Sequence, residues 1–297
     1  MSAKSVVIGG GTGFIGTHLS NLLKKSGYNV LTVSRMPGYD RITWHELNEK
    51  GLPNDTIAAV NVAGQNVLDP SRRWTSGFQQ NVWNSRINTT TSFVRAITNA
   101  KTKPNIFISV SGVSLYRPSD SKIYNEDDKG EDFDYMSNLC LNWEKAAELP
   151  ANETTRLVRI RSGVVIGSNG GMIKSLKLPF WFGFGGKIGD GTQPLPWIHI
   201  EDLCQMIKYS IETEKVNGVL NGVAPDIITN GDFTKAFGAA MRRPTFFTTP
   251  AFVIQQLFGK ERAALLLTGA KIHPKRTLEL GYQYKYPKVI DACREVC

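Results

Sequence analysis

Gly9-Gly10-Gly11-Thr12-Gly13-Phe14-Ile15-Gly16 follows a short apolar stretch, Val6-Val7-Ile8, and opens a helical pattern of Ile15, Leu19, Leu22 and Leu23. Strand, glycine turn and helix stand in the order that a dinucleotide-binding unit requires. The spacing Gly10-x-x-Gly13-x-x-Gly16 bends the chain sharply, lets bare backbone approach a pyrophosphate and packs the new helix closely on the strand. The free amides and positive dipole end of that helix then face the phosphates. A glycine triplet by itself also suits an ordinary turn, so the flanking order carries the reading.

Outward from this turn, the next strand, Val30-Leu31-Thr32-Val33, follows Gly27, a residue suited to the position just past a helix end. It ends in Ser34-Arg35. Selection of NAD uses an acid near this point to bind the ribose 2′-hydroxyl, whereas a 2′-phosphate calls for hydroxyl and guanidinium donors. The nearest acid is Asp40, beyond Pro37-Gly38. Ser34 and Arg35 therefore predict NADP(H), the alternative being a surface arginine after a strand.

Strand-like segments recur between helical ones at Ile57 to Val62, Ile106 to Val110 and Leu157 to Ile160. The alternation predicts an α/β fold, a Rossmann-type doubly wound parallel sheet with a smaller C-terminal substrate lobe. Ligands of such sheets bind outside the carboxyl ends of the strands. That rule nominates Ser34-Arg35, Ala63-Gly64-Gln65-Asn66, Ser111-Gly112-Val113 and Ser162-Gly163-Val164-Val165. Residues 1–167 are expected to form the nucleotide-binding domain, with its core continuing through 196–224. Residues 168–195 read as a glycine- and aromatic-rich segment on the substrate side, carrying Phe180, Trp181, Phe182 and Phe184. They suit a substrate lid or a helix packed on the core equally well. Residues 225–297 read as a small helical lobe, with helical patterns at Phe233 to Met241 and Phe252 to Leu267.

A chain of 297 residues with 41% hydrophobic composition has ample length to bury a core. Its net charge of +9 suits an anionic ligand, but the basic residues are scattered in pairs such as Lys24-Lys25, Arg72-Arg73 and Arg242-Arg243. No basic stripe of the kind nucleic-acid binding needs is present, and no nucleic-acid partner is expected. Cys140, Cys204, Cys293 and Cys297 form no C-x-x-C pair, and His18, His45, His199 and His273 are widely separated, so reduced thiols and no metal site are expected. The apolar run from Leu178 to Phe184 is too short and glycine-broken to cross a bilayer, and no membrane partner is expected. The first strand begins within about five residues of Met1, which predicts a cytoplasmic protein without a leader.

Several segments together go beyond pattern. GGGTGFIG at 9–16, the Ser34-Arg35 pair, RITW at 41–44, VNVAGQN at 60–66, RRW at 72–74 and SRINTT at 85–90 fit one template. RSGVVIG at 161–167, PWIHIEDL at 196–203, NGVAP at 221–225 and LELGYQYKYP at 278–287 fit it too. The chain resembles the epimerase family proteins, an atypical NADP-binding branch of the extended short-chain dehydrogenases/reductases, over essentially its full length. The resemblance implies phosphate contacts at Thr12, Gly13, Phe14 and Ile15, and a 2′-phosphate at Ser34 and Arg35. It also implies adenosine along Val62, Ala63 and Gly64, further cofactor contacts at Asn81 and Arg86, and the nicotinamide end beside Val165.

Short-chain reductases move a hydride with a serine, a tyrosine and a lysine, the lysine lowering the tyrosine pKa so that it exchanges a proton with the substrate oxygen. Tyrosine and lysine stand four apart on one helix face. Here Tyr135 is followed four residues later by Leu139, and Tyr124 by Asp128, so neither fits. Alignment on Trp143-Glu144 puts Met136 and Cys140 at the two positions. Ser111 matches the serine, or is a strand-end residue bonded to backbone. Tyr116 is a substitute acid, or an aromatic in the loop before Pro118. His199 with Asp202 resembles a superfamily element that holds the sheet edge. The expected function is an NADP-dependent oxidoreductase acting on a small molecule. The alternatives are a non-catalytic NADP(H)-binding redox sensor and a nucleotide-sugar epimerase or dehydratase.

Overall fold

The computed structural model describes residues 4–297. Seven strands form the central sheet: β1 (Ser5–Gly9), β2 (Asn29–Ser34), β3 (Arg41–Thr43), β4 (Thr56–Asn61), β5 (Ile106–Gly112), β6 (Arg156–Ser162) and β7 (Gly218–Gly222). Their order is β7-β6-β5-β4-β1-β2-β3, and every neighbouring pair is parallel. The order reverses beside β1, which creates the crevice where doubly wound sheets take their ligands. Strand β1 is buried along its whole length, as its unbroken apolar sequence predicts for a parallel strand covered on both faces.

The period of two then assigns the faces. Val6 and Ile8 enter one core with Leu19 and Leu23 of α1 (Phe14–Lys25) and Leu203, Met206 and Ile207 of α6 (Ile200–Glu212). Val7 points to the other face, into a core with Leu47 of α2 (Trp44–Lys50) and Phe93 and Ile97 of α3 (Ser76–Thr98). Helix α4 (Tyr135–Ala146) adds Ala147, its C-cap, to that second face. Each strand segment read from the sequence lies on an observed strand, with ends shifted by one or two residues.

A smaller core joins parts that are distant in sequence. Ile173 and Phe180 of α5 (Gly171–Trp181) pack with Phe233 and Phe237 of α7 (Asn230–Met241) and with Ala292 and Cys293 near the C-terminus. The helical pattern from Phe252 to Leu267 is not one helix: Gly259, at φ +78°, divides it into α8 (Ala251–Phe258) and α9 (Lys260–Leu267). Glycine adopts that conformation without the Cβ clash that other residues meet. A short helix α10 (Lys275–Glu279) and the terminal α11 (Val289–Val296) follow. Between them Tyr282 returns to the main core and donates its hydroxyl to Asp202 O, 2.8 Å. The C-terminal piece is thus part of both cores.

Candidate functional site

The glycine turn separates into distinct physical tasks. A Cβ on Gly16 would lie 2.2 Å from Gly10 O, and one on Gly10 would lie 2.7 Å from Ala63 Cα, with φ at +76° besides. Those two glycines let the turn, the helix and the end of β4 touch. Gly13 differs, since a Cβ there meets a single neighbouring atom, Gly10 O at 3.2 Å, and otherwise projects into open space. Gly13 is also the N-cap of α1 and provides no side-chain acceptor. The first-turn amides of Phe14, Ile15 and Gly16 have no intrahelical acceptor, and Thr12 and Gly13 are exposed beside them. Free amides at an uncapped, exposed helix start suit an anion. The Phe14 ring packs under the loop after the short strand Val164–Ile166, lying 2.4 Å from where a Gly170 Cβ would be. Ile15 faces the main core.

On the adenosine side, Ser34 is buried and its hydroxyl donates to Met36 O while accepting from Met36 N. It therefore shapes the turn, and Arg35 stands exposed as the cation at the strand end. Val62 N donates to Gly9 O at 3.0 Å and Ala63 N to Asn61 Oδ1 at 3.1 Å, which lays Val62, Ala63 and Gly64 against the glycine turn. Arg86 reaches this run from α3: a Cβ on Gly64 would lie 3.1 Å from its Cζ. Its guanidinium donates to Val82 O at 3.1 Å and Gln65 O at 3.0 Å and lies over the Trp143 ring at 5.1 Å. Burial lowers its pKa, and all its hydrogen-bond partners are neutral. A desolvated cation without an acid beside it favours an anionic ligand. Asn81 is exposed on the same helix, five residues earlier, and Val165 packs beside the main core in the strand that pairs with Trp197–His199.

The two hydroxyls nominated for catalysis are already committed. Ser111 Oγ donates to Glu144 Oε1 at 3.0 Å. Glu144 is held by Arg161 through Nε at 2.7 Å and Nη2 at 2.9 Å. Arg161 Nη1 donates to the Tyr116 oxygen at 2.7 Å, and the Tyr116 proton faces Asn221 Oδ1 and Asn125 O, both at 3.0 Å. Ser111, Tyr116, Glu144 and Arg161 are all buried, and burial raises the Tyr116 pKa. Tyr116, expected as a substitute acid or as a loop aromatic, has its one proton and its oxygen engaged inside the protein. Ser111 is likewise turned to Glu144. The sequence carried a signal for this network in Arg161, a charge at the end of a strand in a covered sheet, which must find a partner.

Helix α4 places Cys140 against the end of β5, where a Cβ on Gly112 would lie 3.3 Å from its sulfur. Burial pushes the Cys140 thiol up to about 12, so it is an inert apolar group near Arg86. Met136 borders a cavity of about 90 Å³ with Trp74, Tyr135, Glu261 and Arg262. That cavity lies between α4 and α9. The His199 ring lies against Tyr286, centroids 4.1 Å apart and planes tilted by 53°, and Asp202 accepts from Lys285 N at 2.7 Å and Tyr286 N at 2.9 Å. Both side chains hold the C-terminal segment. His199 also lines a larger cleft of about 460 Å³ that runs from Thr12 and Gly13 along α1 beside Thr17, His18, Asn21 and Lys285. Among the described residues, no cluster of three potential metal ligands occurs, and no helix is long and apolar enough to cross a membrane.

Residues 6–139 match the NAD dependent epimerase/dehydratase family, and residues 249–296 match a domain of unknown function. The chain is 50% identical to the epimerase family protein SDR39U1 of Bos taurus, across 98% of this chain and 99% of the relative. A chloroplastic SDR39U1 homolog of Arabidopsis thaliana is 32% identical, across 99% of this chain and 87% of its own. A crystal structure of human SDR39U1 with NADPH is 49% identical and superposes with a TM-score of 0.96, covering 98% of both chains. The UDP-N-acetylglucosamine 4-epimerase of Bacillus cereus, 17% identical with a TM-score of 0.77, shares the fold.

Proposed function

Because this chain belongs to the epimerase family, we propose that it binds NADPH along the crevice beside β1 and serves as an NADP-dependent oxidoreductase for a small molecule. The observation that carries the proposal is the α1 turn, where Gly13 leaves space at an uncapped helix start. The NADPH in the human relative's crystal structure supports the same reading.

The residues present fit the cofactor in three places. Phe14 and Ile15 amides receive the pyrophosphate, with Thr12 and Gly13 beside them. Arg35, exposed at the end of β2, pairs with the 2′-phosphate. Arg86 supplies a cation whose own surroundings contain no acid in hydrogen-bond contact, and Val62, Ala63 and Gly64, beside the glycine turn, are assigned to the adenosine by the family resemblance. Asn81 is assigned to the cofactor by the family resemblance, and Val165 lines the nicotinamide end. When bound, NADPH supplies a hydride. On the side of proton transfer, Ser111 and Tyr116 are engaged with Glu144 and Arg161, and Met136 and Cys140 stand at the positions that the family resemblance gives to the tyrosine and lysine.

That engagement favours a second reading, a non-catalytic NADP(H)-binding protein that reports redox state to a partner. It weighs against nucleotide-sugar epimerisation, which needs the same dyad. Calorimetric titration with NADPH, followed by NADPH consumption over a panel of carbonyl compounds, separates the readings. Tight binding with product formation supports the oxidoreductase, tight binding with none supports the redox sensor, and absent binding overturns both.

A further inference from the structure

Large apolar side chains are exposed chiefly in one lobe. Leu178, Trp181, Phe182 and Phe184 are exposed at and after the end of α5, and Phe246, Phe247, Phe252 and Leu257 before and along α8. Phe246 is 89% exposed and Phe252 66%. The two stretches are joined: Gly186–Ile188 pairs with Phe247–Thr249, the Phe184 and Phe247 rings lie 5.8 Å apart, and Arg243 lies over Trp181 at 4.9 Å. Scattered single apolar residues on a surface are ordinary, whereas a contiguous aromatic face marks an interaction surface.

The charges around this face are mostly positive. Lys174, Lys177, Lys187, Lys235, Arg242, Arg243 and Lys260 are exposed in the same segments. The acids within 171–190 and 232–262 are Asp190, Asp232 and Glu261. These three carboxylates are hydrogen-bonded by neutral groups, Asp190 by Thr192, Asp232 by Thr229 and Glu261 by Trp74 and Gln79, and keep their charge, so the seven cations outnumber them. A second copy of the chain docked face to face would oppose these cations with themselves. An anionic bilayer satisfies both features, since aromatic rings seat at the headgroup level and lysines and arginines meet the negative lipids.

We propose that this aromatic, basic face of the C-terminal lobe docks on the surface of an anionic lipid bilayer. Such docking is a surface contact and involves no spanning helix, in line with the absence, among the described residues, of a helix long and apolar enough to cross a membrane. The chain's overall net charge of +9 adds long-range attraction to such a surface.

The full chain is mixed with phosphatidylcholine vesicles, with or without phosphatidylserine, and floated through a density gradient at about 0.1 M salt. Binding is expected to the vesicles with phosphatidylserine alone. Phe246→Ser with Phe252→Ser should lower partitioning about tenfold or more, because both rings leave the interface. Both side chains are exposed, and circular dichroism checks that the variant remains folded. The charge variant Lys174→Glu with Arg242→Glu should lower partitioning similarly while leaving the aromatics in place. Absence of binding to phosphatidylserine vesicles, or partitioning unaffected by either variant, overturns the proposal. A dimer in sedimentation that the Phe246→Ser, Phe252→Ser variant dissociates also overturns it, in favour of self-association.

Discussion

Gly13 and Gly16 stand three residues apart and meet different surroundings: a Cβ on Gly13 would project into nearly open space, one on Gly16 would strike the chain itself. The 2.2 Å separation between a Gly16 Cβ and Gly10 O predicts that Gly16→Ala destabilises the fold by about 1–3 kcal/mol through overpacking. Gly13→Val, whose added atoms enter open space, should leave the circular dichroism spectrum native and abolish NADPH binding. Normal binding by a natively folded Gly13→Val protein would place the phosphates elsewhere. At Arg35 the expected change is selective. Arg35→Ala should weaken NADPH by about 1.5–3 kcal/mol, the scale of a charge-assisted hydrogen bond, and leave NADH nearly unchanged. Equal losses in calorimetry would remove Arg35 from the 2′-phosphate.

Helix α4 shows how an element can keep its place while the chemistry of its face changes. It starts with a capping box, in which Asp134 accepts from Ser137 N at 2.7 Å and Ser137 Oγ accepts from Asp134 N at 2.8 Å. Its register puts Cys140 against β5 and Glu144 on Ser111 and Arg161. Sequence spacing alone suggests that Met136→Tyr with Cys140→Lys restores a proton donor. The structure changes that expectation, because the Cys140 site is buried beside the Arg86 guanidinium. Cys140→Lys inserts a second cation there and should cost on the order of 3–5 kcal/mol in urea denaturation. A Cys140→Lys protein as stable as the parent would show that Glu144, one turn on, can turn away from Arg161 to neutralise it.

At the scale of the whole molecule, the C-terminal segment is tied to the nucleotide-binding domain through Asp202, Tyr282 and His199. His199 is 4% exposed, and burial pushes its pKa down to about 4 from 6.5. Glu201 opposes this shift, while His18 and Lys285 add to it. The native state therefore keeps His199 neutral where the unfolded chain binds a proton. Its contribution is present above pH 6.5 and is lost as the pH falls toward about 4, on the order of 2–3 kcal/mol in all. Urea midpoints measured across this window should fall with pH in the parent and fall less in His199→Gln. Parallel curves for the two proteins would assign the acid sensitivity to other groups.

The order strand, glycine turn, helix and the return of β-patterned segments determined the parallel sheet and the position of the crevice, because both rest on local spacing and on burial with a period of two or 3.6. The basic strand end at Arg35 was legible for the same reason: it is a residue type at a fixed offset from its strand. The break at Gly259 was less so, since a glycine within an apolar periodic run is compatible with a continuing helix until its φ is known. Tertiary structure alone decided what Ser111, Tyr116, Arg161 and Glu144 do, because their partners come from β5, β6, α4 and the loop after β5. Hydroxyls separated by sequence distances from 5 to over 100 residues cannot be sorted into free and committed by spacing. The aromatic run from Phe180 to Phe184 was likewise visible as composition, but only packing showed Phe180 turned into the small core and Trp181, Phe182 and Phe184 left outside it. Local chemistry is written along the chain, whereas exposure and hydrogen-bond commitment depend on which distant elements the fold brings into contact.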